Sequence, residues 1–210
     1  MGYVVTVQPA IEPVSLAEAK LQCRVETVDT YDDALITDMI VAARQAVEQI
    51  CDRSIITQSR KYTFDQFPGA GQMGGNAWGS EFGIPSNALV LTKGPHQSID
   101  SVNYIDTNGV AQVMPTTDYV ADLSGPAARI TPVFGKIWPI ALFQIGSASV
   151  SFTAGYGAPA AVPSGIKRWM LLRIGAMYEN REEIVVGRGI TANPLAFVES
   201  LLDPYRVMVA

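Results

Sequence analysis

The sequence predicts an α+β protein: a helical bundle formed by the N- and C-terminal segments, with a small antiparallel β domain inserted between them. Three observations carry this. Residues 15–53 and 163–203 hold apolar residues at three- and four-residue steps. The stretch between them alternates in period two in short runs. Those runs are punctuated by Gly, Pro and Asn-Gly, the residues of turns. The expected layout is residues 1–56 and 160–210 for the helical module and 57–159 for the β-rich insert.

Tyr3 to Val7 is strand-like and leads into Pro9 and Pro13. Ser15-Leu16-Ala17-Glu18 reads as a capping box, in which Ser15 accepts from the Glu18 N–H and Glu18 reaches back. It predicts a short helix from Leu16 to near Val25. A second helix starts at Thr30, with Asp32 and Asp33 in the first turn, where carboxylates match the positive end of the helix dipole. Leu35, Ile36, Met39, Ile40, Ala43, Val47, Ile50 and Cys51 form its apolar face. Arg44, Glu48 and Asp52 are expected on the other face.

Past Ser54 the period changes. Thr57–Phe67 reads as a strand closed by Pro68-Gly69. Residues 68–87 carry Gly69, Gly71, Gly74, Gly75, Gly79 and Gly83, with Trp78 and Phe82, and read as a long loop. Further strands are expected at 88–92, 101–106, 110–114, 118–123, 128–131 and 147–154, with Asn108-Gly109 as a hairpin turn.

Helix resumes after Pro163. Ile166, Trp169, Met170, Ile174, Met177 and Tyr178 make one stripe, which Leu171, Leu172 and Ala176 widen. So broad an apolar surface implies burial on several sides, against residues 30–53 or against a neighbouring subunit. A loop around Val185–Gly189 and a short helix from Asn193-Pro194 to Leu202 precede an apolar tail, Val207–Ala210.

With 48% apolar and 17% charged residues, the 210-residue chain can bury a core and is not disordered in composition. A net charge of −5 argues against a basic nucleic-acid binder. The first 53 residues hold nine acids and four bases, whereas residues 163–210 hold five acids and six bases. An oligomer could use that difference; two ordinary solvated faces are the simpler account. Cys23 and Cys51 lie in helical patterns, and buried reduced thiols are expected, with a disulfide between the two helices as the alternative. The start has no signal-peptide pattern, and no apolar run reaches the ~18–20 residues of a membrane span, so no membrane partner is expected.

The catalytic signatures present are weak. Gly69-Ala70-Gly71-Gln72-Met73-Gly74 fits a dinucleotide-loop spacing, but Gly75, Asn76, Gly79 and Pro85 forbid the helix that must follow. Ser164 and Lys167 have the spacing of a serine–lysine hydrolase without its companion motifs, and Ser164 reads more simply as a helix cap. His96 is the single histidine and follows Gly94-Pro95, where a solvated turn residue is expected. Asp32 with Asp33, and Glu182 with Glu183, are not facing pairs on a helix. Lys167, Arg168 and Arg173 read as a surface stripe offset by Glu179 and Glu182. No catalytic, cofactor or metal residue is assigned, and the chain is read as a non-enzyme.

Several segments, in order, resemble the head–tail connector proteins (adaptors, or head-completion proteins) of tailed bacteriophages and prophages. They are Glu12-Pro13-Val14-Ser15-Leu16-Ala17-Glu18-Ala19-Lys20, Asp32–Ile36 running to Ala42-Ala43-Arg44, Thr153-Ala154-Gly155-Tyr156-Gly157, Val162-Pro163 with Ile166-Lys167, Tyr178–Glu182, and Leu201-Leu202 with Pro204-Tyr205-Arg206. The resemblance implies a structural virion protein of the neck, assembled in the host cytoplasm as a ring, commonly of twelve copies. The portal would sit above it and a head-closure (stopper) or tail protein below. The ring would extend the channel through which genomic DNA passes without sequence-specific binding. A tail or baseplate binding module is the alternative, and a hydrolase using Ser164 and Lys167 a weaker one. The residues expected at interfaces are Tyr205, Arg206, Val207, Met208 and Val209 of the C-terminal segment, and Trp78 and Phe82 of the glycine-rich loop. That loop is expected to become ordered in the assembled ring.

Overall fold

The computed structural model describes residues 2–69, 87–181 and 196–207. Among them are eight strands and four α-helices. The strands are β1 (Gly2–Val7), β2 (Gln58–Phe64), β3 (Leu89–Leu91), β4 (His96–Ile105), β5 (Ala111–Met114), β6 (Tyr119–Asp122), β7 (Ala128–Pro132) and β8 (Ala148–Ala154). The helices are α1 (Leu16–Cys23), α2 (Asp33–Cys51), α3 (Ser164–Glu179) and α4 (Ala196–Ser200). The chain forms two compact units, one from Met1–Pro9 with Thr57–Gly155, the other from Ala10–Ile56 with Tyr156–Val207.

This architecture corrects the expected fold class. Strand is about as abundant as helix, and two antiparallel sheets replace the small β insert in a helical bundle. The reason is physical. Only α2 and α3 are long, and the N-terminal segment expected to join the bundle supplies β1, which pairs with β2.

In the strand unit, a five-stranded sheet runs β1-β2-β8-β4-β5 and a three-stranded sheet runs β3-β7-β6, both antiparallel. β8 lies at the centre, and Val150, Phe152 and Ala154 are fully buried on its inner face. Phe64, Phe67, Leu91, Val102, Ile130 and Trp138 complete that core. The β4–β5 hairpin turns where Asn-Gly predicts it. The Asp106 carboxylate accepts from the N–H groups of Asn108 and Val110, and Gly109 takes φ +81°. That conformation is one glycine adopts without a Cβ clash.

In the helical unit, α1 and α2 both pack on α3, which makes α3 the central helix. Ile36, Val47, Ile55, Ile166, Met170, Ile174 and Leu202 are fully buried there. The capping box forms as read: Ser15 Oγ accepts from Glu18 N at 3.2 Å, and Glu18 Oε2 accepts from Ser15 N at 2.7 Å. Those bonds hold the Glu18 carboxyl below the usual range. Asp32 makes no side-chain cap bond. Its carboxylate instead accepts from Tyr178 Oη at 2.6 Å and Arg181 Nη2 at 2.8 Å, tying the start of α2 to the end of α3. Asp33 pairs with the buried amine of Lys20, which also donates to the Thr27 and Asp29 carbonyls and so closes the α1–α2 connection. Both cysteines are free thiols, Cys51 buried and Cys23 half-buried.

Two further expectations are corrected. Arg44 and Glu48 do not lie on a solvated face of α2. Both are buried, because Arg44 reaches Glu12 and Glu48 while Glu48 accepts from the Ile55 N–H. His96 is not a solvated turn residue: it opens β4, 7% exposed. Its Nε2 lies 3.1 Å from the Thr92 carbonyl, and its Nδ1 has no hydrogen-bond partner among the described residues. Burial pushes its pKa down to about 4, against the weaker upward pull of that carbonyl.

Candidate assembly surface

The segment joining β7 to β8 carries the strongest surface feature among the described residues. Pro132, Gly135, Pro139 and Gly146 break any helical or strand period, and Gly135 and Gly146 take φ of +80° and +71°. Between them Phe134, Ile137, Ile140, Phe143 and Ile145 are exposed by 106%, 83%, 69%, 87% and 93%.

The segment is nonetheless pinned to the core. Trp138 is buried, stacks on Phe67 with ring centroids 4.8 Å apart, and donates its indole N–H to the Asn87 carbonyl at 2.6 Å. Val133 N donates to Asp118 O, and Leu142 N donates to Ile105 O. At the far end Gly146 N donates to Asp65 Oδ1, and Ser147 Oγ donates to Asp65 O. Apolar side chains are thus presented on an anchored backbone, which lowers the entropy lost on contact.

The electrostatics are sparse. Lys136 is the one charged side chain between Val133 and Gly146, and its amine lies 3.4 Å from Asp118. Such a surface has no row of cations for phosphates. It has the chemistry of a protein interface core, where charge is depleted and aromatic residues are enriched. The sequence shows the apolar residues without a period, a pattern that fits neither a buried helix nor a strand.

Of the residues expected at interfaces, three lie among the described residues. Tyr205 and Val207 are half-buried against their own unit: Arg53 Nε donates to Tyr205 O at 2.5 Å, and Val207 N donates to Cys51 O at 3.0 Å. Arg206 is exposed and pairs with Glu199 and Asp203. Met208, Val209, Trp78 and Phe82, and most of the glycine-rich loop, lie outside the described residues.

Ser164 is exposed in the first turn of α3, and Lys167 acts electrostatically on Glu18. A groove of about 650 Å³ near the ends of α1 and α3 is lined by Cys23, Arg24, Tyr178 and Glu179, among others, and includes neither Ser164 nor Lys167. Burial, and then the charge of Glu179, push the Cys23 thiol up, away from a reactive thiolate. Arg168 donates to Gln22 on α1. Among the described residues no three His, Cys, Asp or Glu side chains cluster as metal ligands, and no helix is long and apolar enough to cross a membrane.

The described architecture is matched by solved structures. A chain in the neck of an empty gene transfer agent particle, computed with C6 symmetry, superposes with a TM-score of 0.75 at 19% identity. The match covers 100% of this chain and 97% of that one. The fold is that of a gene transfer agent neck chain. A chain of the native gene transfer agent virion matches at TM-score 0.75 and 17% identity, over 100% and 97% of the two chains. A chain of the native neck computed with C12 symmetry matches at 0.64 and 17%, over 99% and 97%. No family model and no curated protein matches the chain.

Proposed function

We propose that the chain is a structural protein of the neck of a phage-like particle, a head–tail adaptor whose copies close into a ring between portal and tail. The observation that carries this is the end-to-end fold match, which spans 97% of a neck chain and leaves no part of this chain outside it. The end segments that resemble connector proteins point the same way. Copies related by rotation close through head-to-tail contacts, in which each copy presents one surface and receives on another. The pinned apolar segment between β7 and β8 is a surface of the kind such contacts need.

A net charge of −5 supports a channel through which DNA slides, because Lys and Arg contacts to phosphate would hold it. The role needs no chemistry, and no cofactor is part of the proposal. The portal above and a stopper or tail protein below are the partners that this position implies. Electron microscopy of particles carrying a tagged copy tests the reading: density at the head–tail junction is expected, and density at the distal tail or baseplate would replace it.

A further inference from the structure

We propose that the β7–β8 segment is the ring contact itself: Phe134, Ile137, Ile140, Phe143 and Ile145 pack on a neighbouring copy of this chain. The inference rests on the neck reading for its ring geometry and on the segment's own physics for its location. Aromatic side chains bury on the order of 150–250 Å² each, so Phe134 and Phe143 alone offer roughly 300–500 Å², to which Ile137, Ile140 and Ile145 add. The sum reaches the largest apolar patch of many monomers, about 300–600 Å². It approaches the roughly 800 Å² that each partner contributes to a stable interface.

A second copy is the occupant that the composition favours. Permanent homomeric interfaces resemble a domain core cut in two, whereas transient ones keep charged groups. The sole cation here, Lys136, already faces Asp118. The backbone is held at Trp138, Leu142 and Gly146, so the surface is ready before any partner arrives. A patch so poor in charge needs cover from the moment of synthesis, and other copies of the same chain are present from that moment.

The test places a photo-crosslinking benzoylphenylalanine at Ile140 of the full chain. It is irradiated in particles and as free protein over a range of concentrations. The expected product in particles is a crosslink between two copies of this chain, and Phe134→Asp with Phe143→Asp should reduce it by at least ~10-fold. Both side chains are exposed, so the circular dichroism of that variant should be unchanged. A crosslink to a different protein, or no product between copies in particles, overturns the proposal. The position of the chain in the same particles is read separately by microscopy. A neck ring without the homotypic crosslink sinks this inference alone, and a homotypic crosslink outside the neck sinks the neck reading alone.

Discussion

Arg44 and Glu48 lie one turn apart on α2, both buried, with Arg44 Nη1 donating to Glu48 Oε2 across 3.3 Å. Arg44 Nε also donates to Glu12 Oε2 at 2.8 Å, and Glu48 Oε1 accepts from the Ile55 N–H at 3.0 Å. Arg44→Ala removes the buried cation that bridges Glu12 and Glu48 and should cost about 3–5 kcal/mol in urea unfolding. Replacing both residues by Met removes the two buried charges together. It still orphans the Ile55 N–H, so it should recover only part of that loss. Full recovery would show that the backbone bond contributes nothing.

His96 makes stability pH-dependent. Its folded pKa, about 4, lies below its ordinary 6.5, so the unfolded chain binds the proton more readily. Its contribution is complete above pH 6.5 and is lost as pH falls toward 4, by up to roughly 3 kcal/mol. His96→Gln should flatten the melting temperature between those limits relative to the parent chain. An unchanged slope would remove His96 from the account. Gly94→Ala attacks the same spot, since an added Cβ would lie 2.9 Å from both His96 Nδ1 and the Pro126 carbonyl. It should destabilise by about 1–3 kcal/mol.

Trp138 anchors the exposed segment. Trp138→Ala removes the stack on Phe67 and a large buried side chain, and should cost about 3–5 kcal/mol by chemical denaturation. Trp138→Phe keeps much of the packing but strips the Asn87 carbonyl of its donor, for roughly 1–3 kcal/mol. Equal losses for the two variants would mean that the hydrogen bond, not the packing, holds the segment.

The C-terminal residues expected at an interface continue past Val207, whose N–H is held by Cys51 O. Deleting residues 208–210 should leave the melting temperature within a few degrees and abolish attachment to portal-bearing heads. Attachment at the parent level would remove the tail from the interface.

Local signals were legible in the sequence where local chemistry decides. Ser15 and Glu18 cap α1 within three residues of each other, and Asn108-Gly109 turns its hairpin through Asp106. Pairing across long separations was not. Val4 and Lys61 are opposed in the β1–β2 ladder, far apart in the chain, so the N-terminal strand seemed to belong with the helices. His96 follows a Gly-Pro pair and reads as a turn, because nothing nearby in the sequence shows that β8 pairs beside it and sets the Phe152 ring against it. Arg44 and Glu48 read as solvated because charge usually is; their burial is balanced by each other and by Glu12 and the Ile55 N–H, which the fold brings to them. The β7–β8 segment is not legible in the sequence, because apolar residues without a period carry no element signal.

The central claim is a ring at the head–tail junction, and cryo-electron microscopy of particles containing a tagged chain tests it most directly. The expected result is tag density in a closed ring at the neck. Tag density at the tail tip or baseplate, or particles whose neck lacks it, would contradict the account.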